Sequence, residues 1–149
     1  MNAKSLTVAA LLLGLGTMPF AASAVEETPN AIPGGTLVSS EKAKEQFDKG
    51  MLFVDARVGA EYAESHVKGA VNVVFKEKFA KESKLDPADS FDLAKLPSDK
   101  SKPMVFYCNG SPCWKGYKAA AAAIKAGYKQ VYWYRDGMHG WTAQHYPVE

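Results

Sequence analysis

Short apolar runs, each closed off by glycine, proline or a charge, alternate along this chain with stretches that repeat at helical spacing. Residues 36–39 read as a short strand. Ser39 or Ser40 then caps a helix running through Lys49, with Glu41 in its first turn, Gly50 just past its end, and Ala43, Gln46 and Phe47 turned inward. Residues 51–54, Met51, Leu52, Phe53 and Val54, form a continuous apolar run, which suits a strand buried on both faces of a parallel sheet. A short helix over 61–65 and a strand over 70–74 follow. The stretch 76–102 is polar and broken by Pro87 and Pro97, and it reads as a long excursion holding one or two short helices.

The pattern sharpens after Pro103. A strand at 105–107 leads into a polar loop, and the loop into an alanine-rich helix at about 112–126. Ser111 suits the cap of that helix and Pro112 its first residue, where a missing N–H does no harm. Lys115, Lys118 and Lys125 share one face and read as solvated. Tyr117, Ala120, Ala121 and Ile124 make the opposite face, and Gly127 with Tyr128 forms the stop. A last buried-type strand spans 131–134. Strand, helix, strand in this order implies right-handed parallel crossovers and an α/β domain with helices on both faces of the sheet.

Composition changes this picture mainly at the start of the chain. Lys4, an apolar centre over 6–15 and the Ala22-Ser23-Ala24 ending have the form of a secretory signal peptide, with cleavage expected after Ala24. The mature protein is therefore expected in the periplasm, with no membrane segment after cleavage. Residues 25–35 carry Pro29, Pro33 and a glycine pair and read as an extended leader, leaving 36–149 as the domain. The formal net charge is only +2 and no basic patch interleaved with aromatics occurs, which argues against nucleic acid as a partner. A monomer is the default expectation.

Two cysteines remain in a chain directed to an oxidising compartment, where a structural disulfide is the ordinary expectation. Cys108 and Cys113 would close a very small loop, in a domain long enough to build a core without a staple. Function explains them better. Cys108 ends a strand, and the next helix begins a few residues later. Helix starts offer unpaired N–H groups and partial positive charge, which stabilise a thiolate or another anion. Ligands of such sheets bind at the carboxyl ends of strands, where Cys108 falls. Cys113 has three readings: inert packing, a thiol that resolves an intermediate into a disulfide, or half of a redox switch. The spacing is not that of a zinc pair, and His66, His139 and His145 are scattered. The reading therefore includes no metal and no cofactor.

Three separated pieces resemble the rhodanese family of sulfurtransferases. They are Asp55, Arg57, Glu61 and Tyr62 followed by the run from His66 to Asn72; the cysteine loop with its alanine-rich helix; and the turn from Asp136 to Trp141. The resemblance implies a rhodanese-like domain with a central, mostly parallel five-stranded sheet. It also implies a catalytic Cys108, and a substrate-binding loop of Asn109, Gly110, Ser111, Pro112, Cys113, Trp114 and Lys115. Related phosphatases of this fold place an arginine where Trp114 stands. Without it a phosphate dianion loses its bidentate clamp, so sulfur chemistry ranks ahead. Asn109 to Cys113 includes no basic residue, and Lys115 is the nearest cation. A second cysteine followed by Trp114 resembles a subgroup of exported rhodanese-like proteins.

The function so implied is sulfur transfer. The Cys108 thiolate takes the outer sulfur of a small anionic donor such as thiosulfate, and passes it from a persulfide to cyanide or another thiol. Two other readings stand beside it. One is a non-catalytic binding module serving an exported redox or sulfur-oxidising partner. The other is a dithiol–disulfide redox protein using Cys108 and Cys113. Asn109 and Ser111 are expected to add side-chain donors, with Lys115 and Arg135 steering the anion. Asp55, Arg57 and Glu61 are expected to form a structural ionic network beneath the loop.

Overall fold

The apolar runs form five strands in one sheet, and the computed structural model describes residues 26–149. The signal-peptide expectation and its cleavage point lie outside these residues. The strands are β1 (Thr36–Val38), β2 (Leu52–Asp55), β3 (Val71–Asn72), β4 (Met104–Tyr107) and β5 (Val131–Tyr134). Their order across the sheet is β1-β5-β4-β2-β3, and every pairing is parallel. β4 is central and all four of its residues are buried, as its unbroken apolar run requires.

Four helices complete the domain: α1 (Ser40–Asp48), α2 (Gly59–Glu64), α3 (Trp114–Lys125) and α4 (Gly137–Ala143). One face of the sheet buries Val54, Phe106 and Trp133 against α3, whose Ala119, Ala120 and Ala123 are wholly inaccessible. Side chains this small let the helix lie close on the sheet. The other face packs Phe53, Val105 and Tyr134 against Ala43 of α1 and Trp141 of α4. Trp141 is completely buried, meets Phe53, Phe47, Tyr134 and Tyr146, and donates its indole N–H to Pro147 O at 2.8 Å. Helices therefore cover both faces, in line with the α/β reading.

Several local expectations are corrected. α3 begins at Trp114, with Cys113 and not Ser111 as its cap residue, because the Cys113 N–H turns back to Gly110 O at 2.9 Å. Pro112 thus belongs to the loop. Lys118, expected in solvent, is fully buried: its ammonium donates to Phe79 O at 2.6 Å and lies 3.6 Å from Asp89 and 3.7 Å from Glu77. A face of three lysines could not reveal acidic partners on a distant segment. That segment holds one 3₁₀ turn, Leu93–Lys95, in place of one or two helices. The closing turn is in fact the helix α4. The leader packs as part of the domain, with Thr28 and Ile32 both buried.

Candidate functional site

The register of the central strands sets the site. Asp55 at the end of β2 lies beside Tyr107 at the end of β4, and Tyr107 beside Tyr134 of β5. The next residues of β2 and β4 lead to Arg57 and Cys108, so the cysteine emerges at the carboxyl edge of the sheet with an arginine alongside. Cys108 is 3% exposed. Gly116 lets α3 come this close: a Cβ there would meet the Cys108 backbone N at 3.1 Å and its Cβ at 3.2 Å. Gly137 does the same for α4. Its φ is +53°, and any side chain would collide with the Cys108 carbonyl. The N–H groups of Met138 and His139 then donate to Cys108 O and Asn109 O at 2.9 and 2.8 Å. Two elements therefore hold the start of the loop by its main chain.

The loop is closed by a Cys108–Cys113 disulfide, with the two Cα atoms 6.1 Å apart. Cys113 caps α3 and is only partly buried. Among the described residues the N–H groups of Asn109, Gly110 and Ser111 have no protein acceptor. They are free to meet an anion just ahead of the N-terminus of a helix of three turns. Reduced, the arrangement can hold a thiolate or a persulfide anion. Oxidised, it is a closed dithiol pair.

Beneath the loop Asp55 and Arg57 form the expected ion pair. The Asp55 carboxylate is inaccessible and accepts from the Arg57 backbone N–H at 2.9 Å and from its side-chain Nε and Nη2 at 3.0 and 2.7 Å. Burial pulls the Arg57 pKa down, but the hydrogen bonds and charge of Asp55 outweigh it and hold the guanidinium above its ordinary value. Glu61 joins through Asn109, whose amide donates to Glu61 Oε1 at 2.6 Å and accepts from Arg57 Nη1 at 3.4 Å. The Asn109 side chain thus ties the loop to this scaffold through one amide hydrogen and its oxygen.

The remaining site residues divide. The Ser111 hydroxyl reaches Glu27, and its carbonyl accepts from the Thr28 N–H and hydroxyl at 2.9 and 2.7 Å. Arg135, expected to steer anions, instead binds Glu27 and both the hydroxyl and carbonyl of Thr28. Together they fasten the leader to the loop, a contact that no local sequence signal announced. The Trp114 ring lies in the core against Tyr117, so only its main chain serves the loop. Lys115 lines a cleft with Val58, Lys76, Glu77 and Lys78. Gly110, Ser111 and Pro112 line another, with Asp136 and His139. His139 was considered from sequence only as a metal ligand, yet it borders the loop directly. The resemblance of the Asp136 to Trp141 piece to the family's closing turn was the one available signal.

A strand-end cysteine in a six-residue loop before a helix, over a buried Asp–Arg pair, defines a cysteine-loop α/β domain. The sequence profile of the Rhodanese-like domain matches residues 39–144. The chain belongs to this family. It is 28% identical over 100 residues to the thiosulfate:glutathione sulfurtransferase of Saccharomyces cerevisiae, covering 64% of this chain and 68% of that protein. It is 31% identical over 120 residues to the tRNA uridine(34) hydroxylase of Hamiltonella defensa, covering 76% of this chain but 30% of that longer protein. The fold is similar to that of the thiosulfate sulfurtransferase of Pseudomonas aeruginosa, with a TM-score of 0.57 at 21% identity, covering 77% of this chain and 20% of that one.

Proposed function

We propose that this protein is an exported sulfurtransferase that carries sulfane sulfur as a persulfide on Cys108. The observation that carries the reading is the place of Cys108: at the end of the central strand, opening a loop in which the N–H groups of Asn109, Gly110 and Ser111 have no protein acceptor among the described residues. A reduced Cys108 thiolate attacks the outer sulfur of thiosulfate or a similar small anion. The S–S bond of the donor breaks, sulfite leaves with the bonding pair, and a Cys108 persulfide remains. The loop amides stabilise the anionic sulfur, and Lys115 in the first turn of α3 attracts the donor. A thiol or cyanide then accepts the sulfur. Membership of the rhodanese-like family supports sulfur chemistry, and donor, acceptor and periplasmic location belong to the proposal.

The Cys108–Cys113 disulfide favours a second reading, in which the pair exchanges electrons with an exported redox partner and carries no sulfur. Sulfite separates the two. Reduced protein mixed with thiosulfate is expected to release one equivalent of sulfite in a burst, and Cys108→Ser none. A wild-type protein that releases no sulfite, yet cycles its disulfide with a dithiol, would establish the redox reading instead.

A further inference from the structure

The loop holds two cysteines of unequal exposure. Cys108 is 3% exposed under α3 and α4, while Cys113 at the head of α3 is only partly buried. Their Cα atoms stand at disulfide distance with the bond formed, and the short Gly110 to Cys113 turn that brings them together is held by a main-chain hydrogen bond of 2.9 Å. A persulfide on Cys108 would therefore be formed with a second thiol already beside its inner sulfur. An external acceptor must instead reach the outer sulfur from outside the loop.

We propose that Cys113 resolves the Cys108 persulfide within the loop, so that the protein releases its sulfur as sulfide. This rests on the sulfurtransferase reading and extends it to a reductive activity. The Cys113 thiolate attacks the Cys108 sulfur, the Cys108–Cys113 bond forms, and the bond to the outer sulfur breaks with its electron pair on hydrosulfide. Over both steps thiosulfate and two thiols give sulfite, hydrogen sulfide and one disulfide. The sulfane sulfur is reduced and the two cysteines are oxidised. Turnover requires an external dithiol reductant. It attacks Cys113, the more exposed residue of the pair, and expels Cys108 as a thiolate. The disulfide state is then an ordinary stage of the cycle.

The test uses pre-reduced protein, a single addition of thiosulfate and no added thiol, with sulfite, sulfide and intact mass measured together. Wild type is expected to release one equivalent each of sulfite and sulfide and to end two hydrogens lighter with no added sulfur. Cys113→Ser is expected to release sulfite alone and to keep the mass of one extra sulfur atom. Cys113→Ala serves as a second variant should serine disturb the helix cap. Wild type that releases sulfite but keeps the added sulfur, with Cys113 still open to alkylation, would overturn the proposal and leave the sulfurtransferase reading intact. Absence of sulfite from wild type and both variants would overturn that reading and this proposal with it.

Discussion

Arg57 and Lys118 are both buried cations, 5% and 0% exposed, yet they hold the molecule in different ways. Arg57 finds its carboxylate two residues away at the end of β2, and from there it braces Ser65 O and the Asn109 side chain of the cysteine loop. Lys118 reaches from α3 to a carbonyl 39 positions earlier and to acids of the excursion, fastening a segment nearly without secondary structure. One is a local pair that supports chemistry. The other is a long-range staple that supports shape. Removing either cation leaves buried acceptors without partners, but only the first should disturb the loop.

Arg57→Ala marks the larger effect. It strands an inaccessible carboxylate, a change that costs about 3–5 kcal/mol when a buried pair is broken. Urea unfolding should show that loss, and the sulfite burst should fall with it as Asn109 loses a support. Lys118→Met keeps much of the volume and removes the ammonium. About 1–3 kcal/mol should be lost for the unsatisfied acceptors, with faster proteolysis within 76–90 and an unchanged sulfite burst. A burst abolished by Lys118→Met would erase the distinction between the two cations.

Acid should act on the staple through Asp89. Burial pushes its carboxyl upward, but the N–H groups of Lys78 and Asp86 together with the Lys118 ammonium outweigh that and hold it below the usual aspartate value. A depressed folded pKa means stability that is complete above the unfolded value of about 3.9 and is lost as pH falls through the folded one. The stability gap between wild type and Asp89→Asn should therefore shrink below about pH 4. Smallest of all is the leader clasp. Glu27→Gln weakens a half-exposed pair to Arg135 and should cost under about 1 kcal/mol by thermal unfolding.

How far the fold could be read from sequence follows the same division of local from distant. The five strands, the parallel sheet and the Asp55–Arg57 pair were visible, because each is written in a run or in two neighbouring residues. Cys108 was placed at a strand end by the same means. Lys118 was misassigned because periodicity within a helix does not record what lies against it. The roles of Asn109, Ser111 and Arg135 were missed for a related reason: Glu61, Glu27 and Thr28 meet them only through the fold. The start of α3 shifted because the loop closes on itself before the helix can begin.

The most direct measurement is intact and peptide mass spectrometry of Cys113→Ser after reduction and exposure to thiosulfate. The expected result is one added sulfur atom on the peptide carrying Cys108, absent when Cys108 is also replaced by serine. A folded variant that acquires no sulfur, or acquires it elsewhere, would contradict the account.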